Sequence, residues 1–168
     1  VFGYVEPGPE LVDTIAARLA SSYGWATHPE WYVWLPGLVS GLNITCRAVG
    51  ETGDDVLTGV PVYPPFLSAP LNSGRNCIRV PLACEQGRWR FVAEALAQAI
   101  TPRSRLLLLC SPHNPVGRAW SCEELLALAN VACARDLTIC SDEIHCGLVL
   151  DADKPHMPLA ALAPEIAD

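Results

Sequence analysis

The sequence predicts an α/β protein with a doubly wound, mainly parallel sheet. Leu106–Cys110 and Leu137–Cys140 are short, mostly apolar runs bounded by turn formers, as strands buried on both faces are. A helix-length segment separates them, and the same strand–helix alternation runs through much of the chain. At 168 residues, 51% of them hydrophobic, the chain is long enough to bury one sizeable core.

Each element has its own signal. Pro7 to Tyr23 reads as a helix, with Pro and Glu in its first turn and Leu11, Ile15, Ala16 and Leu19 on one face. Trp31–Leu35 has the composition of a strand. Pro36-Gly37 then opens an apolar helix from Leu38 to Val49. Glu51–Asp55 is a turn and Val56–Val60 a short strand. Pro61-Val62-Tyr63-Pro64-Pro65 follows as a rigid loop, because proline removes donors and fixes φ. Cys77–Leu82 is the next strand, and Arg88–Phe91 leads into an alanine-rich helix that reaches Ile100. After the Leu106 strand come an Asn-Pro loop, a helix from Ser121 to Arg135 and the Leu137 strand. Ser121 with Glu124 is a capping box that marks the start of that helix. Beyond Val149 the chain is Pro-rich and loop-like through Pro164, and no internal repeat is present.

Composition removes several classes of function. A formal charge of −7 argues against a nucleic-acid or anionic-membrane surface, which needs basic patches. No apolar run reaches transmembrane length, and the start lacks a signal-peptide pattern. The eight cysteines contain no C-x-x-C pair of the kind zinc sites use. Cys110, Cys140 and Cys133 lie in apolar or helical patterns and are expected to be buried free thiols of a cytoplasmic protein.

The chemistry-bearing residues follow the two apolar runs. Ser111-Pro112-His113-Asn114-Pro115-Val116-Gly117 and Ser141-Asp142-Glu143-Ile144-His145 both stand at carboxyl strand ends, where open α/β sheets bind ligands. Asp142, after an apolar run, must be paired or solvated. Pro112 and Pro115 restrict the residues before them, which suits a side chain that has to be aimed. Gly37-Leu38-Val39 opens a helix, whose free N–H groups suit a phosphate.

This pairing of motifs resembles the class I/II aminotransferase group of fold-type I, pyridoxal-phosphate (PLP) enzymes. Asp-Glu-Ile-His makes it most similar to the branch of cystathionine β-lyase-like C–S lyases. The resemblance implies that Asp142 bonds the PLP pyridine nitrogen through a charge-assisted hydrogen bond, worth about 1.5–3 kcal/mol. It implies that Asn114 donates to the phenolic oxygen, that the Tyr63 ring stacks on the pyridine face, and that His145 serves the cofactor or orients Asp142. Gly37, Leu38 and Val39 correspond to the phosphate cup, without the hydroxyls that many aminotransferases carry there. Tyr4, in Phe2-Gly3-Tyr4, matches a tyrosine that reaches the phosphate of the neighbouring subunit, so a homodimer is expected.

Such enzymes hold PLP as a Schiff base on a lysine. Lys154 is the only lysine, and it lies in a polar loop beside Asp151 and Asp153, which push its pKa the wrong way. It is rejected for that role. Residues 1–168 are therefore expected to be part of the PLP-binding large domain. The rest of that domain, its lysine, the substrate-carboxylate arginine and a small domain are expected outside this chain. The expected activity is a PLP-dependent carbon–sulfur β-lyase acting on cystathionine or a related cysteine S-conjugate. An aminotransferase, or a non-catalytic PLP-fold module, is the alternative.

Overall fold

A computed structural model describes residues 7–151 and 153–162. The chain divides into two units, Val1–Trp34 and Leu35–Asp168. In the first, helix α1 (Pro9–Tyr23) forms where the sequence places it, with proline at its start. It ends on Gly24 at φ 66°, a left-handed conformation that glycine adopts without steric cost. The strand expected over Trp31–Leu35 is absent. Pro29–Trp31 forms a 3-10 turn, and the residues after it join no ladder among the described residues. Aromatic composition marks a segment that suits a sheet, but only a pairing partner makes a strand.

The second unit is built on four parallel strands in the order β2-β1-β5-β6, comprising β1 (Asp55–Val60), β2 (Asn76–Pro81), β5 (Ser104–Cys110) and β6 (Thr138–Asp142). Helices α2 (Leu38–Ala48) and α3 (Pro65–Asn72) cover one face; α4 (Ala93–Ala99) and α5 (Cys122–Cys133) cover the other. The central strand β5 shows why. Leu107 and Leu109 join the cluster with Leu96, Leu125 and Leu128, while Leu106, Leu108 and Cys110 join Leu42, Cys46, Phe66 and Ala69. Successive side chains point to opposite faces, so a run of leucines feeds two cores at once. The chain is thus the α/β protein with a parallel, doubly wound sheet that the alternation predicts.

Two elements escape the sequence reading. The Pro-rich loop ends sooner than expected, because Pro64 and Pro65 start α3; proline in a first turn forfeits no helical bond. Between β2 and α4, β3 (Ala83–Glu85) and β4 (Arg88–Arg90) pair as a hairpin. Gln86 and Gly87 both have positive φ at its turn, the conformation that two-residue hairpins require. The Pro-rich tail holds one short helix, α6 (Leu159–Leu162).

All eight cysteines are free, and the described residues contain no cluster fit for a metal. Burial is less uniform than expected: Cys46 and Cys110 are buried, whereas Cys133 is exposed on α5. No helix of the described residues is long and apolar enough to cross a membrane.

Candidate active site

Three strand ends and one helix start build the site. β5 ends at Cys110, and Ser111–Gly117 folds into a tight loop. Gly117, at φ 67°, turns the chain so that its N–H donates to the His113 carbonyl at 2.8 Å. The His113 N–H in turn donates to the Arg118 carbonyl at 2.7 Å. The His113 ring is buried edge-on to Trp120, and its Nε2 bonds the Pro61 carbonyl at 2.8 Å. A carbonyl only accepts, so Nε2 carries the hydrogen. Burial pushes the His113 pKa down, and the ring stays neutral as a brace between two loops.

The same two loops are joined again where the Tyr63 N–H donates to the Asn114 carbonyl at 3.0 Å. The Asn114 N–H donates to Cys110 Sγ at 3.4 Å. Burial holds that thiol protonated, with its pKa pushed up to about 11. The Asn114 backbone is therefore fixed twice, while its side-chain amide makes no hydrogen bond among the described residues.

The loop returns through Arg118 into α5. Arg118 meets both oxygens of Glu124, at 2.8 and 2.7 Å, donates to the Trp89 carbonyl at 2.9 Å and lies over the Trp120 ring. Glu124 also accepts from the Ser121 N–H at 2.8 Å, completing the predicted capping box. One carboxylate thus starts the helix and holds the loop, through a charge-assisted pair in which a single guanidinium nitrogen reaches both of its oxygens.

Asp142 is the last residue of β6, paired in register with Cys110. Its Oδ1 accepts the Ile144 N–H at 3.1 Å, and its Oδ2 makes no hydrogen bond among the described residues. Burial raises its pKa above the ordinary carboxylate value; the Ile144 N–H and His145 oppose that shift. A half-buried carboxylate with a free oxygen is a strong acceptor for a ligand that brings a proton or a positive charge.

Tyr63, Asn114, Asp142 and His145 line one cleft of about 460 Å³, with Leu38 and Val39 from the start of α2. That volume falls within the range of about 300–1,000 Å³ typical of small-molecule sites. Gly37 caps α2 just before these residues without lining the cleft. Tyr63 is 42% exposed, so its ring stands at the mouth. A second hollow of about 720 Å³ adjoins, sharing Asn114 and His145. Tyr4 lies outside the described residues. Lys154 pairs with Asp151 at 2.8 Å on the surface, and that bond raises its pKa.

The model of the family "Aminotransferase class I and II" matches residues 1–167. This chain belongs to that family. Among class I/II relatives, the cystathionine beta-lyase PatB of Bacillus subtilis is 36% identical over the whole chain, which covers 43% of PatB. The arginine–pyruvate transaminase AruH of Pseudomonas aeruginosa is 34% identical over 94% of the chain, which covers 39% of AruH. The crystal structure of cystalysin from Treponema denticola, which contains a pyridoxal 5'-phosphate cofactor, superposes with a TM-score of 0.95 at 30% identity. It is matched by all of this chain, which covers 43% of it. The chain thus spans about two fifths of the length of these relatives.

Sequence reasoning passed over Cys110 in the wall of the cleft and three residues that brace the loops beside it: His113, the Trp120 ring it packs against, and Glu143 next to Asp142. His113 stands between the two prolines of the motif, and Glu143 directly follows the singled-out aspartate. Neither signal distinguishes a brace from a surface polar residue until the partners are known.

Proposed function

We propose that this chain forms the cofactor-facing part of a PLP-dependent carbon–sulfur β-lyase. Its substrate would be cystathionine or a related cysteine S-conjugate, and its products thiol, pyruvate and ammonia. The observation that carries the reading is the donor set of one cleft: a carboxylate with a free oxygen, an unpaired amide, an imidazole and an aromatic ring. These groups match PLP in kind. Asp142 Oδ2 would meet the pyridine nitrogen and keep it protonated, and its raised pKa reflects a desolvated carboxylate that a cationic ring would stabilise. The Asn114 amide would donate to the phenolic oxygen, an uncharged donor that adds no competing cation. Tyr63 at the mouth would cover one ring face. The first-turn N–H groups of α2 would receive the phosphate without any basic side chain.

When bound, PLP supplies an electron sink for the carbanion left by loss of the Cα proton. Asp142 serves that chemistry by holding a proton at the ring nitrogen. The braced loops serve it by keeping Asn114 and Asp142 in place before the substrate arrives, so that no reorganisation is needed during reaction. His145, three residues after Asp142 and lining the same cleft, supports the lyase branch, as does the identity to PatB. The similar identity to AruH supports the aminotransferase alternative.

We place the lysine that holds PLP and the arginine for the substrate carboxylate outside this chain, with the rest of the large domain and the small domain. In this reading the full-length enzyme is a homodimer, with Tyr4 serving the neighbouring subunit. The deciding experiment incubates the full-length enzyme with cystathionine and scores pyruvate release against keto-acid exchange with 2-oxoglutarate. Pyruvate without 2-oxoglutarate supports the lyase. Exchange without pyruvate replaces it with the aminotransferase. Neither, in a protein that also fails to bind PLP, leaves a non-catalytic module.

A further inference from the structure

Glu143 follows Asp142 but does not line the cleft; its carboxylate is engaged elsewhere on three sides. Oε1 accepts the Ser141 hydroxyl at 2.7 Å and the Leu159 N–H at 3.1 Å. Oε2 meets His156 Nε2 at 3.0 Å, and His156 is only 5% exposed. The Glu143 carbonyl also accepts the Cys146 N–H at 2.9 Å. Burying an imidazole beside a carboxylate costs desolvation, and a turn on the surface does not need it.

The arrangement has a mechanical consequence. Asp142 sits between Ser141 and Glu143, which bond each other across it. Its carbonyl is held by the Ser111 N–H at 3.0 Å, inside the sheet. Its carboxylate is aimed by a single bond, from the Ile144 N–H at 3.1 Å. That N–H belongs to the peptide joining Glu143 to Ile144. Pinning Glu143 therefore pins the one donor that orients Asp142. The pin reaches into the Pro-rich segment after Val149, ten or more residues further along the chain, through His156 and Leu159.

We propose that Glu143 and His156 are positioning residues: together they hold the Ile144 N–H against Asp142 Oδ1 and so present Oδ2 to the cleft. This rests on the reading of Asp142 as the partner of the PLP ring nitrogen. Glu143 does not exchange a proton with substrate, since three protein donors occupy it and it stands outside the cleft. Its effect is on how firmly Asp142 meets the ring, and hence on cofactor affinity and the electronic state of the bound ring.

The test uses the full-length enzyme stripped of PLP, with three readouts. These are PLP affinity by quenching of intrinsic fluorescence, the visible absorption spectrum of bound PLP, and amide hydrogen exchange at Ile144 without PLP. Glu143→Ala is expected to weaken PLP about tenfold, in the range that loss of an outer partner costs a bound cofactor ion. It should also shift the absorption maximum in the same direction as Asp142→Ala and speed exchange at Ile144. Glu143→Gln, which keeps an oxygen for Ser141 and Leu159, should restore most of the affinity, and His156→Phe should fall between.

A folded Glu143→Ala enzyme with PLP affinity within about twofold of wild type, an unchanged spectrum and unchanged Ile144 exchange would overturn the proposal. If Glu143→Ala does not fold, His156→Phe and Ser141→Ala each remove one of the bonds to Glu143, and the same readouts decide. Asp142→Ala separates the two levels. If it changes affinity and spectrum while the Glu143 and His156 variants change neither, the positioning role alone fails. If Asp142→Ala changes nothing, the reading of the cleft fails and this role with it.

Discussion

Two aspartates, Asp55 and Asp142, occupy opposite ends of the same sheet. Asp55 opens β1 and is 5% exposed. Both of its oxygens are used: Asn76 Nδ2 donates to one at 2.8 Å and Thr101 Oγ1 to the other at 2.5 Å. Asp142 closes β6, is half-buried, and has one oxygen bonded to a backbone N–H and one free. Asp55 ties β1 to the neighbouring β2 and to the turn before β5. Asp142 ties nothing with its second oxygen among the described residues, and it lines a cleft. A buried carboxylate that the protein satisfies completely is part of the scaffold; one left with an open oxygen at a carboxyl strand end is available to a ligand.

The largest expected effect tests the Asp142 side of this contrast. Asp142→Ala in the full-length enzyme should bind PLP yet lose turnover by about 100-fold or more, comparable to removing one preorganised electrostatic donor. Steady-state kinetics at saturating PLP check this, and near-normal turnover would reduce Asp142 to a turn residue like any other. Asp55→Ala should do the reverse. Losing the acceptor for Asn76 and Thr101 should cost about 2–3 kcal/mol of stability, read from the urea midpoint, with turnover per folded molecule unchanged. A loss of turnover at full folding would erase the distinction between the two ends.

A smaller effect is expected at the cleft's uncharged donor. Asn114→Ala should weaken PLP about threefold to tenfold, the worth of one neutral hydrogen bond, with the melting temperature little changed. Equilibrium dialysis of PLP against the apoenzyme measures it, and an unaltered constant would show that the free amide has no ligand to meet.

The smallest effect concerns pH. Burial raises the Asp142 pKa above its ordinary 3.8, so between that value and the native one the folded state keeps a proton that the unfolded chain has lost. Stability from this group is complete below that window and falls as pH rises through it. Asp142→Asn keeps the acceptor for Ile144 and removes the ionisation. The variant apoenzyme should therefore melt slightly above wild type at pH 7, with the gap closing as pH falls toward the ordinary carboxylate value of 3.8. A gap that is constant with pH would mean that the carboxylate is not desolvated.

Most of the fold was legible in the chain because its signals are local. Four apolar runs became the parallel strands, and Ser121 with Glu124 marked a helix start that both capping bonds confirm. The failures share a cause. Trp31–Leu35 carries strand composition but finds no ladder among the described residues, and the β3–β4 hairpin depends on two strands meeting. Strand identity is settled by a partner elsewhere, which composition does not encode. The helix α3 was hidden for a different reason: proline breaks a helix from within yet suits its first turn.

For the site, the sequence by itself determined which groups would stand at the strand ends. Asn114 and Asp142 each follow an apolar run, and a parallel sheet places the ends of its strands on one edge. Only the tertiary structure decided what surrounds them. His113 became a brace because Pro61, far away in the chain, offers a carbonyl at hydrogen-bond distance. Glu143 became an anchor because His156 and Leu159 fold back onto it. Periodicity and turn chemistry are properties of neighbours in sequence, whereas the burial and bonding of a polar group depend on packing between segments that the chain brings together only when it folds.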